Sequence, residues 1–310
     1  MPRSFQMLDA QAAMAFVVEQ AAYIEREVNA TIYPEIIYST LVPIDTSANP
    51  FVQSVLYYSS DIYGKAKWIN GNADDIPLAG SELAIAKTSV YTAAIGYGFG
   101  WEEVNYATLV GQDLQSTDAA AARRAYEEMM QGIALTGNTE KGFAGLINYP
   151  GVPIDASSAG PWTAATAPSV IMTDLNKLIM GIPLNTQYTA YANTILLPPE
   201  SLALLGGIIV PDTGTTFLAW FKANNAYTLL SGQSLTVAAL PNLSTGGAGG
   251  VKRGVAYRKA PEVLKLHAPM PHRFLPVYQD GPLHWVVPGV FRTGGLEVRR
   301  PYEVRYMDNI

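Results

Sequence analysis

The chain has 310 residues, 49% of them apolar and only 15% charged, with a formal net charge of −6. That balance is too apolar for a disordered chain, and the 20 basic residues are not gathered into the clusters that nonspecific DNA binding needs. With no cysteine, disulfides, thiolate zinc sites and cysteine nucleophiles are excluded.

Residues 8–29 carry Leu8, Ala12, Ala15, Phe16 and Tyr23 at helical spacing. The short apolar patch AAMAFVV within them is flanked by Asp9 and Glu19, so it reads as an ordinary helix and not as a signal peptide. No apolar run reaches the about 18–20 residues that span a bilayer. Pro34, Pro43 and Pro50 then break the chain into extended pieces, and residues 1–50 read as an arm.

A long β-hairpin is expected next. In LYYSSDIYGKAKW one face carries Leu56, Tyr58, Ile62, Ala66 and Trp68, and the other carries Asp61, Lys65 and Lys67. NGNADDIPLAG (70–80), with Asp74 and Asp75, is a turn-rich tip, and the return strand is expected from Glu82 to about Val104. Strands of some fifteen residues at ~3.3 Å each would reach about 50 Å. A compact chain of this length has a radius of gyration of only roughly 20 Å, so such a hairpin needs something to lie on. The plainer alternative is two shorter strands of an ordinary sheet.

The run AIGYGFGW (94–101) belongs to this return strand. From Tyr91 the odd positions are Tyr91, Ala93, Ile95, Tyr97, Phe99 and Trp101, bulky but for Ala93, whereas Gly96, Gly98 and Gly100 fall on even positions. That is strand periodicity with a bare face, the mark of close backbone approach. A phosphate-binding G-x-G-x-x-G would need glycine where Trp101 stands. The bulky face (Tyr91, Ile95, Tyr97, Phe99, Trp101) is expected to pack on the protein's own core.

The clearest helix is 116–136. Ser116 or Thr117 can cap it, and Asp118 suits the positive end of its dipole. Ala119, Ala122, Tyr126, Met129, Met130 and Ile133 form its apolar stripe, and Gly137 is a natural stop. Arg123 and Arg124 stand four residues before Glu127 and Glu128. GLIN (145–148) leads into a loop over 149–168, a candidate domain seam. A short helix (172–182), a buried strand with a Pro–Pro turn and a second helix (192–206), a third helix (217–225), the GGAGG loop (246–250) and a β-rich end follow. Residues 1–250 sum to −11 and 251–310 to +5, the latter read as solvated strand faces.

No reactive constellation emerges. His267 and His272 are five apart with prolines between them, a spacing that no helical metal pair adopts, and only a spatial grouping with Asp280 would rescue a metal site. Asp74–Asp75, Glu102–Glu103 and Glu127–Glu128 are adjacent acids that do not face one another. No nucleophile elbow is present. A non-enzymatic role without cofactor or metal is expected.

Three stretches, YGFGWEEVNYATL (97–109), ARRAYEEMMQGIALTGN running into GFAGLIN (122–148) and RTGGLEVRRPYEVRYMDNI (292–310), together with the order of elements, resemble the major capsid proteins of tailed bacteriophages, whose fold is shared with encapsulins. The resemblance implies an α+β fold. Its parts would be an N-terminal arm (1–50), an extended hairpin loop (51–106), a peripheral domain with spine helix 116–136 (107–185), an axial domain (186–285) and C-terminal strands returning to the peripheral domain (286–310). It implies an icosahedral head shell of the virion, built in the bacterial host cytoplasm from pentamers and hexamers around DNA, with no membrane. Portal, a separate scaffold and decoration proteins would be partners. About 50 residues precede the hairpin, too few for an attached scaffold, and the 70–80 tip lacks a lysine for cross-linking, so a non-covalent shell is expected. Subunit contacts are expected at Tyr58, Lys65, Lys67, Trp68, Asp74, Asp75, Arg123 and Arg124. An encapsulin-like compartment and a carbohydrate-active enzyme are the alternatives.

Overall fold

The computed structural model describes residues 34–68, 76–103, 105, 114–158, 160–211 and 214–310. The expected helix over 8–29 lies outside them, as does 69–75 of the hairpin tip. Residues 1–35 form one unit and residues 36–310 a second, compact one.

The second unit opens with a helical turn, α1 (Tyr38–Leu41), and a two-residue strand, β1 (Ile44–Asp45). The hairpin strands β2 (Ser54–Tyr63) and β3 (Gly80–Ser89) precede β4 (Tyr91–Ala94), β5 (Tyr97–Gly100) and the long helix α2 (Leu114–Leu135). A tight pair, β6 (Gly137–Asn138) and β7 (Phe143–Ala144), is followed by β8 (Ile154–Ala156) and α3 (Pro168–Asn185). Next come β9 (Thr194–Leu197), α4 (Pro199–Gly207), α5 (Phe217–Asn224), α6 (Ala226–Ser231) and β10 (Thr236–Ala239). The remaining strands are β11 (Arg253–Tyr257), β12 (Leu264–His267), β13 (Met270–Phe274), β14 (Tyr278–Gly281), β15 (His284–Val287), β16 (Gly289–Thr293), β17 (Gly295–Val298) and β18 (Val304–Asp308).

A five-stranded sheet, ordered β10-β9-β11-β18-β8, separates two cores. Successive strand residues point to opposite faces. Leu196, Val255, Tyr257 and Tyr306 therefore face a core shared with Tyr126, Met130 and Ile133 of α2. Their neighbours Ile195, Leu197, Ala256 and Met307 face the other, with Ile171, Leu175, Leu178 and Ile182 of α3 and Phe217 and Phe221 of α5. Burial on both faces explains why β9 reads as an unbroken apolar run and not as an alternation. Helix α2 buries Ala122, Tyr126, Met130 and Ile133, one helical stripe, while Met129 points outward. Gly137, at φ +80°, ends it in the left-handed conformation expected of glycine.

Several elements differ from expectation. Residues 36–45, expected within the arm, are part of the main core: Tyr38, Leu41 and Val42 are buried there, and β1 pairs in parallel with β12. The Tyr38 hydroxyl donates to Glu127 and the Tyr257 hydroxyl to the Leu41 carbonyl, contacts between residues far apart in sequence. The return strand is not continuous from 82 to 104 but is cut into β3, β4 and β5, each in a different sheet. Helix α2 starts at Leu114, so Ser116 and Thr117 lie inside its first turn. The loop over 149–168 contains β8, held parallel to β18. Helix α3 is longer than expected, because Pro168 at its first position supplies a preset helical φ. The cores are not divided at residue 185, since α3 packs with α4 and α5. Of the C-terminal strands, β17 contacts α2, whereas β18 lies inside the five-stranded sheet.

Candidate assembly interface

The β2–β3 hairpin is a sheet of two strands only, with ten antiparallel pairs from Ser54↔Ser89 to Tyr63↔Gly80. At ~3.4 Å per residue the ladder is about 30 Å long, shorter than the expected ~50 Å. Directly paired residues share a face, so Tyr58↔Ile85 and Ser60↔Leu83 place Ile85 and Leu83 beside Leu56, Tyr58 and Ile62. These five side chains are 50–85% exposed. A two-stranded hairpin with a bare apolar face is marginal in water.

The opposite face is anchored at its base. The Arg299 guanidinium lies 4.8 Å from the Tyr57 ring centre, and the Thr88 hydroxyl donates to Glu297 at 3.3 Å. Glu297 is 3% exposed and accepts from His267 Nε2 at 2.8 Å and Arg299 Nε at 2.9 Å. The other ring nitrogen of His267 is 3.7 Å from Asp45, which Lys265 also pairs. Burial alone would raise both carboxyls, but the outcome is the reverse. Hydrogen bonds from Lys265 and Ser47 hold Asp45 well below the usual carboxylate range, and those from His267 and Arg299 lower Glu297. Segments β1, β12, β17 and the hairpin root are thereby joined by charge.

At the root the glycine face meets backbone. A Cβ on Gly96 would lie 2.3 Å from the Val287 carbonyl oxygen, and one on Gly98 would press on the His284 ring at 3.0 Å. The bulky face packs as expected except at its ends: Tyr97 meets Phe274 edge-on at 5.4 Å and Phe99 stacks on Trp285 at 6.1 Å, while Tyr91 and Trp101 stay partly exposed.

Of the residues singled out from sequence, Tyr58 stands on the bare face, and Lys65, Lys67 and Trp68 are exposed just beyond β2. Asp74 and Asp75 lie outside the described residues. Arg123 and Arg124 sit on α2, a separate element, where Arg124 bonds Glu128 at 2.9 Å. Sequence reasoning missed Leu83 and Ile85, although their alternation with Glu82, Ala84 and Ala86 carries the same period-two signal. Among the described residues no group of three or more His, Asp or Glu side chains could hold a metal ion. His272 instead stacks on Tyr126 at 5.3 Å. No helix among the described residues is long and apolar enough to cross a membrane.

A family described as "Major capsid protein" matches residues 64–310. No curated protein matches the chain. Among solved structures, a chain from the capsid of Myoviridae phage XM1 superposes with a TM-score of 0.79 at 15% identity, covering 94% of this chain and 98% of that one. A chain from the capsid of the native GTA particle gives 0.66 at 11%, covering 95% and 98%. One from Microbacterium phage Oxtober96 gives 0.63 at 11%, covering 97% and 99%. These likenesses establish the fold.

Proposed function

Because the chain belongs to the major capsid protein family, and its place is therefore in the shell of a phage virion, we propose that its copies close into an icosahedral head around packaged DNA by covering one another's hairpins. The observation that carries this is the bare face of Leu56, Tyr58, Ile62, Leu83 and Ile85 on a two-stranded ladder. Burying one such side chain contributes about 1.5–3 kcal/mol, and a standard interface removes roughly 1,200–2,000 Å² from water. A subunit touching several neighbours gains this repeatedly, so mass action favours the assembled state.

In this reading the residues before Ile36 supply an arm, 51–106 the extended loop, α2 the spine of a peripheral domain, and the five-stranded sheet with α3–α5 the axial domain. Tyr58, Lys65, Lys67, Trp68, Asp74, Asp75, Arg123 and Arg124 contribute to contacts with neighbours. Portal, scaffold and decoration proteins complete the particle. The acidic balance suits a wall that confines DNA mechanically without gripping it. Negative-stain microscopy and light scattering of the purified chain test the reading. Closed shells are expected, and a stable monomer under all conditions would overturn it.

A further inference from the structure

We propose that the cleft between the hairpin root and the turn after α2 binds a phosphate group, which braces the hairpin against the body of the subunit. The cleft has a volume of about 280 Å³ and is bordered by β3, β7 and β17. Its polar lining is Lys87, Lys141, Thr88, Ser89, Tyr91 and Tyr149. The remainder, Phe143 and Leu296 among it, is largely apolar, and no carboxylate lines the space.

Two cations thus border one space from different elements. Lys87 stands in β3, paired with Leu56 near the root of the ladder. Lys141 ends the turn Thr139–Lys141, which is fixed by Asn138, whose side chain accepts from the Lys141 N–H at 3.1 Å. The Lys141 ammonium lies 5.4 Å from the centre of the Tyr91 ring. Both lysines are exposed, and neither is in an ion pair among the described residues. The acid behind Thr88 is no counter-ion for them. Glu297 accepts from the Thr88 hydroxyl, but it is 3% exposed and already holds His267 and Arg299. Glu140, next to Lys141 in sequence, is not part of the lining. Like charges repel across such a space, and an anion between them turns the repulsion into two charge-assisted contacts. The hydroxyls of Ser89 and Tyr91, which make no hydrogen bond to another described residue, add two donors. Ammonium and hydroxyl donors without a carboxylate disfavour a metal ion and select an oxyanion. Occupancy joins β3 to the 139–144 turn and adds to the Tyr57–Arg299 and Thr88–Glu297 contacts at the hairpin root.

The site does not depend on the shell reading and is tested on the full chain. Equilibrium dialysis with radiolabelled inorganic phosphate, at low and constant ionic strength, is expected to show one site per chain. Lys87→Gln with Lys141→Gln should weaken binding at least about tenfold, whereas Lys87→Arg with Lys141→Arg should retain it. Lys177→Gln with Lys222→Gln removes the same charge from exposed residues elsewhere and should leave binding unchanged. Hydrogen exchange at 87–91 and 139–144 should slow with phosphate in the unmodified chain and not in Lys87→Gln with Lys141→Gln. A short DNA duplex is the second arm. A duplex that displaces phosphate through the same two lysines supports the site and names the nucleic-acid backbone as the source of the group. A duplex that leaves phosphate binding unchanged supports it and names the free ion. No binding at millimolar phosphate overturns the proposal, as does binding that survives Lys87→Gln with Lys141→Gln or falls equally in the Lys177 and Lys222 control. Each of these leaves the shell reading standing, since microscopy tests that separately.

Discussion

Gly96 lies where two backbones pass too closely for a side chain. Its Cβ would meet the Val287 carbonyl, which cannot swing aside, so Gly96→Ala should cost about 1–3 kcal/mol in thermal or urea unfolding. Gly206 is the contrast: it lies in α4 with nothing within 4 Å of its Cβ position, and Gly206→Ala should be neutral or stabilise by up to ~1 kcal/mol. The second residue-scale prediction concerns acid. Asp45 and Glu297 both have folded values below their unfolded ones. Their contribution is complete above about pH 5 and is lost progressively as pH falls further. Urea midpoints should therefore drop between pH 5 and pH 2, with hydrogen exchange rising first at 54–57 and 86–89. Glu297→Gln should lower stability at pH 7 and flatten that decline. The bare face of the glycine run was legible from its period-two spacing, whereas the charge network was not, since Asp45, His267 and Glu297 come from distant parts of the chain.

At the scale of elements, the hairpin and α2 obey opposite rules. Tyr58→Ser changes a side chain that is 66% exposed in the single copy, so unfolding should shift by no more than about 0.5 kcal/mol while shell formation falls sharply. Met130→Ala, on the buried stripe of α2, should cost about 2–5 kcal/mol in unfolding. Calorimetry and sedimentation together separate the two effects. Helix α2, β9 and α5 were readable because local pattern and tertiary burial agree, down to Thr216, whose hydroxyl accepts from the Ala219 N–H at the start of α5. The return strand was not, because β3, β4 and β5 keep one local pattern while pairing with β2, β16 and β15 respectively, partners that only the folded chain brings near. The turn α1 escaped notice for the same reason: its anchors are Glu127 and the Tyr257 hydroxyl.

At the scale of the whole molecule, assembly should be steeply concentration-dependent, and the amides of β2 and β3 should gain protection from exchange on assembly while those of β9 and β11 change little. A uniform change across all four strands would count against hairpin-driven association. The five-stranded sheet adds a consequence for biosynthesis. Strand β18 lies between β11 and β8, with Tyr306 turned to one core and Met307 to the other. Neither core can close until residues 304–308 have left the ribosome, so a half-translated subunit has no finished surface to offer. Polymerisation is thereby withheld from nascent chains, and premature stop products should be cleared as unfolded protein instead of poisoning growing particles.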